Sequence, residues 1–279
     1  MTTPEGNHRV ALLDTTVQID RNKSGHRKTR ISDLLEAYDF TVTTSICLLE
    51  FKATLIQECI TIHNQLRLKR RFTLVRDALT ESQHRQARLR SHIFNNLLLV
   101  YASSFRVTEQ QDERLAEKAR LRLESVIPRL YSWFKGSVDA VLPHRIDCTR
   151  AGEPPVKKQV SFGVNLPRCS RTGEKANKQC RVEEFIRSHA VPLVDHIKRT
   201  SDKSEQLERS LSTIENVLTT PHLDLSHEDC RSMGDCLIAL EGAGNATHAI
   251  SSNSSEWELL SEVIGCEFVR VTYPDERRQ

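Results

Sequence analysis

An α/β fold built around a parallel sheet is what this sequence predicts, and three observations carry the prediction. Short apolar runs that read as inner strands lie near both ends of the chain: VALL at 10–13, FTVTTSI at 40–46, THAIS at 247–251 and CEFVRV at 266–271. Stretches with helical periodicity separate them. The first run stops at an acid, Asp14, and the residue just past the carboxyl end of a strand in an open parallel sheet lies at the crevice where ligands bind. The 279 residues, 38% of them hydrophobic, are enough to bury a sizeable core in one large or two small domains.

The elements follow in order. After strand 10–13, the run Thr15, Thr16, Val17 turns polar and reads as a loop or helix start, for which Asp14 is alternatively a plain cap. TRISDLLEAYD (29–39) reads as a short amphipathic helix, and strand 40–46 follows it. From Cys47 a helix buries Leu48, Leu49, Phe51, Leu55, Ile56, Cys59, Ile60 and Ile62, with Thr44 or Ser45 as N-cap and Glu50 in its first turns. Residues 67–104 read as one long or broken helix, and 108–127 as another ended by Pro128. Past the aromatic group Tyr131, Trp133 and Phe134, read as core, a Pro/Gly/Lys-rich stretch of about 135–180 reads as irregular. Helices return at 181–199, kinked by Pro192, and at 203–218. HLDL (222–225) is a candidate short strand, and Ser226 with Asp229 forms a candidate capping box for a helix over 227–242, ended by Gly242 and Gly244. Strand 247–251, a polar loop and helix over 252–264, and strand 266–271 close the chain. The expected division is a discontinuous α/β core, 1–62 with 220–279, and a basic, mainly helical insertion at 63–219.

Charge follows the same division. The net charge is +3, but residues 1–60 and 220–279 together are acidic while 61–219 carries 29 Lys/Arg against 18 Asp/Glu. A basic body suits a polyanion, and acidic ends suit divalent cations; a solvated helical surface is the plain reading of the former. No apolar run reaches the roughly 18 residues that span a bilayer, and the start MTTPEGNHRV lacks the apolar stretch of a secretory signal, so a soluble, cytoplasmic protein is expected. The eight cysteines show no framework spacing, and Cys47, Cys59, Cys236 and Cys266 sit in apolar patterns as buried thiols would in a reducing compartment.

Three segments in this order, VALLDTTVQID, TVTTSICLLEFKATL and MGDCLIALEGAGNATHAISSNSSEWELL, resemble the PIN-domain nucleases, a metal-dependent family that includes the toxins of many toxin–antitoxin pairs. The resemblance covers about 8–60 and 220–272. It implies a three-layer, parallel-sheet core. It matches Asp14 to an Asp after strand one, Glu50 to a Glu in the helix after strand two, and Asp235 to an Asp in an apolar helix. Ser252, Asn253, Glu256 and Trp257 are matched to the hydroxyl, amide, acid and aromatic after the next strand. The chain departs from the pattern at Thr16, where Asn is usual, at Glu256-Trp257 in place of Asp-Phe, and in its insertion of roughly 150 residues.

The chemistry implied is hydrolysis of phosphodiester bonds, in RNA before DNA, assisted by Mg²⁺ or Mn²⁺ on carboxylates, since hard cations choose oxygen ligands. Asp14 and Asp235 are the expected metal ligands. Glu50 completes the cluster or orients a water, Asn253 and Glu256 finish the site, and Ser252 steadies the loop. Asp235 alone would also fit a buried ion pair or a position beside the apolar stripe. A phosphotransferase Asp-x-Asp reading of DTT fails at Thr16. Arg67, Lys69, Arg70 and Arg71 head a basic cluster that could track nucleic-acid phosphates, or be covered by an antitoxin or another protein partner, with oligomers open. His144, Cys148, Cys169 and Cys180 could hold a structural Zn²⁺, although their spacing matches no compact zinc signature and unligated thiols are the favoured reading. The rival to a nuclease is a catalytically inactive binding or scaffold protein of the same fold.

Overall fold

The computed structural model describes residues 8–21, 26–80, 108–143, 145–148, 156–158, 161–163, 180–200, 203–221, 223 and 225–273. The chain forms two compact units, one of residues 1–49, 138–152 and 167–279, the other of residues 50–137 and 153–166.

The first unit is built on a five-stranded sheet of β1 (Val10–Leu13), β2 (Phe40–Thr43), β3 (Ala140–Val141), β6 (His248–Ser251) and β7 (Glu267–Arg270), in the order β3-β2-β1-β6-β7. Every neighbouring pair is parallel, with Leu12 opposite Val42 on one side and Ala249 on the other. A central parallel strand is buried on both faces, which is why β1 is apolar without alternation. Ala11 and Leu13 pack with Val17 of α1 (Thr15–Arg21), Ile31 of α2 (His26–Leu35), Ile250, Val271 and Tyr273. Leu12 points to the opposite face, as successive strand residues do. There it meets α11 (Gly234–Gly242) so closely that a Cβ on Gly242 would stand 2.4 Å from Leu12 Cδ2. Helices therefore cover both faces of this sheet.

Strand β2 passes into α3 (Ser45–Phe51), where the Thr44 hydroxyl accepts from Cys47 N–H at 3.3 Å as one of the two expected caps would. The unit boundary falls inside α3, after Leu49. The remaining helices of the first unit are α7 (Val182–His189), α8 (Val191–Arg199), α9 (Glu205–Thr219), α10 (His227–Ser232) and α12 (Ser254–Ile264). The α10 start is the expected capping box, Ser226 and Asp229 each bonding the other's main-chain N–H.

The second unit continues from Glu50 through a π-helical turn (Lys52–Ile56) into α4 (Gln57–Lys69) and α5 (Phe72–Thr80). The long α6 (Glu109–Gly136) packs on α4 and α5, and a hairpin of β4 (Val156–Lys158) and β5 (Ser161–Gly163) packs on α4. Its core gathers Ile62, Leu66, Leu123, Ile127 and Phe134, with Phe134 tilted on Phe51 at 4.8 Å. Tyr131 and Phe134 are buried as expected, and the half-buried Trp133 stacks on Phe51.

Several local expectations change. Pro128 does not end its helix: α6 continues to Gly136 because Leu123, Ile127, Leu130, Tyr131 and Phe134 form one buried stripe across the proline. Their burial offsets the roughly 3 kcal/mol that an interior proline costs. The stretch 135–180, read as irregular, supplies the edge strand β3 and the β4–β5 hairpin. Leu223 and Leu225 are not in a strand; Leu225 N–H donates to the Leu223 carbonyl at 3.0 Å, and His222 and Asp224 lie outside the described residues. The expected helix over 67–104 breaks at Arg70, in the left-handed region at φ 50°, and its portion past residue 80 lies outside the described residues. The helix over 227–242 is two, parted at Met233. The sequence division at 62 and 220 differs from the unit boundaries, because α7–α9 cluster with the sheet: α9 packs on α10, and α8 on α12. No helix among the described residues is long and apolar enough to cross a membrane.

Candidate functional site

The site forms where β1 and β6 end side by side. Parallel pairing sets Leu13 opposite Ile250, and Asp14 N–H extends the ladder to the Ile250 carbonyl at 3.1 Å. That register delivers Asp14 and Ser251 to the same edge. The buried Asp14 carboxylate accepts from Thr16 Oγ1 at 2.7 Å and Ser251 Oγ at 2.8 Å on Oδ2, and from Thr15 N–H at 2.6 Å on Oδ1.

Those donors are all neutral. They solvate the charge without cancelling it, so burial wins and holds the Asp14 carboxyl above the usual carboxylate range, against the lowering by the Thr16 and Ser251 hydroxyls and the N–H groups of Thr15 and Thr16. A divalent cation fits this arrangement, because it would supply the positive charge that these neutral donors do not.

A line of hydrogen bonds runs from Asp14 to the second expected acid. Ser251 Oγ, besides donating to Asp14, accepts from Asn253 N–H at 2.9 Å. The Asn253 side-chain amide donates to Asp235 Oδ2 at 3.4 Å, from the first turn of α11. Asp14, Asn253 and Asp235 are thus brought together. The hydroxyl on Asp14 belongs to Ser251, one residue before the Ser252 that the sequence match selects; Ser252 contributes its main-chain N–H to Thr16 Oγ1 at 3.4 Å.

The other expected residues have different surroundings. Glu256 is buried on α12 and accepts from Ser204 Oγ at 2.7 Å, the same hydroxyl that caps α9 through Leu207 N–H, so it ties two helices together. Burial, with the charges of Asp235 and Glu256 adding to it, pushes the Cys236 thiol up to about 12, which keeps it an unreactive core group. Glu50 is half-buried in the last turn of α3, where the second unit begins. Among the described residues no group of three or more His, Cys, Asp and Glu side chains is gathered tightly enough to hold a metal ion.

In the basic cluster, Lys69 and Arg70 are exposed. Arg71 is committed to acids, pairing with Glu109 and donating through Nε to Asp112 at 3.0 Å. The Arg67 Nε is buried without a hydrogen-bond partner. For the zinc candidates, Cys148 and Cys180 are half-buried in the first unit, while His144 and Cys169 lie outside the described residues.

Two acids escaped the sequence reading. Glu241 on α11 is buried and accepts from Ser45 Oγ and Arg145 N–H, both at 3.4 Å, joining the start of α3 to the segment after β3. Asp112 is buried beneath Arg71 and Thr73. Asp112 has neither a strand before it nor an apolar motif around it, and Glu241 closes the apolar run 236–240, in which the resemblance selects Asp235 instead. No protein-family model, curated protein or solved structure matches the chain.

Proposed function

We propose that the chain is a divalent-metal-dependent endonuclease of the PIN type, hydrolysing phosphodiester bonds with RNA as its preferred substrate. The observation that carries this reading is the line Asp14–Ser251–Asn253–Asp235 at the carboxyl edge of a parallel sheet, where open α/β sheets hold their ligands. The order of the acids along the chain and their elements support it further.

In this reading Asp14 and Asp235 would hold Mg²⁺ or Mn²⁺. When bound, such a cation neutralises charge on the phosphate and makes a water more acidic. The Ser251 and Thr16 hydroxyls keep Asp14 in one rotamer. Asn253 restrains Asp235 in the same way. Glu256 acts as a positioning residue, since its carboxylate is engaged by the α9 cap. Of the basic residues at 67–71, Lys69 and Arg70 remain the candidates for backbone phosphates, because contact through Arg71 would require breaking its pairs with Asp112 and Glu109.

The test is cleavage of labelled RNA and DNA by the full chain with Mg²⁺ or Mn²⁺, with a chelator, and with Asp14→Asn. Metal-dependent cleavage that is faster on RNA and lost in Asp14→Asn is expected. Salt-sensitive binding with no cleavage under any metal would replace this reading with an inactive nucleic-acid-binding protein.

A further inference from the structure

The buried side of α6 fixes its exposed one. Asp112, Ala116, Ala119, Leu123, Ile127 and Leu130 are buried along one stripe of the helix. At 3.6 residues per turn, a position two residues past a buried one lies on the opposite side. Arg114, Lys118, Arg122 and Arg129 occupy that opposite side together with Ser125 and Ser132, and all six are exposed. From Arg114 to Arg129, at the helical rise per residue, the row of cations runs about 22 Å.

None of these four cations has a hydrogen bond or ion pair among the described residues. The neighbouring Arg120 differs, being bound to Glu117 and Glu124. Glu113 stands at the amino-terminal end of the row; past Glu117 the one acid of α6 is Glu124, half-buried and held by Arg120. Arg114–Lys118 and Lys118–Arg122 are like-charge pairs four residues apart, which destabilise a helix in water. A face shaped for solvent alone interleaves the two signs. A polyanion laid along this one would turn the repulsion into attraction.

The class of polyanion follows from the other side chains of the helix. Of the three aromatics on α6, Tyr131 and Phe134 are buried and Trp133 is half-buried against Phe51. Binders of single strands add aromatic platforms on which bases stack, and this row has none. Leu121 is the one large apolar side chain exposed on α6, too little for the apolar core of a protein interface. Arg, Lys and Ser are the donors that hold a sugar–phosphate backbone. Double-stranded RNA is held in that way, by its shape and backbone and not by its sequence. We propose that this side of α6 docks base-paired RNA along its phosphates. The row binds whether or not the Asp14 site cleaves; only the choice of RNA over DNA rests on the nuclease reading.

The experiment is fluorescence anisotropy of the full chain, in EDTA, with a labelled RNA duplex, its separate strands and a DNA duplex of the same sequence, across a salt series. The RNA duplex is expected to bind tightest, with log K falling linearly in log salt. Arg114→Gln, Lys118→Gln, Arg122→Gln and Arg129→Gln, combined, should flatten that slope by about 3 to 4, close to one for each lost phosphate contact. The same charge loss at Lys28, Arg199, Lys203 and Arg231 of the first unit should change it by less than about one. Gln suits an exposed helix position, and circular dichroism checks the fold. If the fourfold variant does not fold, Arg122→Gln alone decides, with an expected slope loss of about one. An unchanged slope in the α6 variant or an equal loss in the first-unit variant overturns the proposal. So do single strands or DNA bound as tightly as the RNA duplex, and so does tighter binding to phosphatidylserine vesicles. Stripe-dependent binding without cleavage under any metal would remove the nuclease reading alone, and cleavage without stripe-dependent binding would remove this proposal alone.

Discussion

Asp14 in the first unit and Asp112 in the second are each 2% exposed and accept hydrogen bonds in a similar pattern. In both, a main-chain N–H bonds Oδ1 and a threonine hydroxyl bonds Oδ2. A further donor on Oδ2 differs: the Ser251 hydroxyl on Asp14, the Arg71 guanidinium on Asp112. Burial raises both carboxyls, and on Asp14 nothing outweighs it. On Asp112 the Thr73 N–H and hydroxyl and then Arg71 reverse it, and the carboxyl falls below the usual range. Asp112 also lies under the partly exposed Arg71 and well-exposed Glu109, so its desolvation is shallower. One acid is a completed clamp that fixes the start of α5 against α6, and the other is buried among neutral donors.

The largest contrast is expected from the amide variants. Asp14→Asn should abolish metal-dependent cleavage in a gel assay while leaving the unfolding free energy unchanged or higher, because it removes an uncompensated buried charge. Asp112→Asn should do the reverse, keeping cleavage and losing about 2 kcal/mol in denaturant unfolding, because it removes the charged acceptor of the Thr73 and Arg71 hydrogen bonds. Equal stability losses in the two would break the comparison.

Stability against pH should separate them next. With Asp14 raised in the folded state, the folded chain binds the extra proton between the ordinary value of 3.8 and the raised one, so the Asp14 contribution falls as pH rises through that window. With Asp112 lowered, its contribution is present above 3.8 and is lost as pH falls through the folded value. Asp14→Asn should remove the first slope and Asp112→Asn the second in urea midpoints taken across that range.

The smallest effects come from single donors. Thr73→Ala should cost about 1 kcal/mol beyond its packing loss, by denaturant unfolding, with cleavage unchanged. Ser251→Ala should cost about as much but also slow cleavage roughly tenfold, since orienting partners of metal ligands have effects of that order. A Ser251→Ala enzyme at full rate would show that the hydroxyl is packing and not positioning.

What could be read from the sequence was what local pattern encodes. Strands β1, β2, β6 and β7 announce themselves as apolar runs, and the Ser226–Asp229 box as a spaced pair. Strand β3 is two residues long and carries too little pattern to be distinguished from its loop. Pro128 misleads because the proline rule is local while the stripe that overrides it spans about three turns. Ser251 was missed by one position, since a motif match gives spacing and only the register of β6 on β1 decides which serine faces Asp14. Asp112 and Arg71 lie 41 residues apart, and Glu241 and Ser45 lie 196 apart; such pairs are products of tertiary packing with no signature in either segment.

On the proposed function, the Asp14 charge is completed by a divalent cation from outside the chain. Thermal unfolding with and without Mn²⁺ at neutral pH, on the wild type, Asp14→Asn and Asp112→Asn, tests it most directly. A ligand present at a hundred times its Kd stabilises the folded state by about 2.7 kcal/mol. The account expects a saturable rise in the midpoint for the wild type and for Asp112→Asn, and none for Asp14→Asn. No response in the wild type, or the same response in Asp14→Asn, would contradict it.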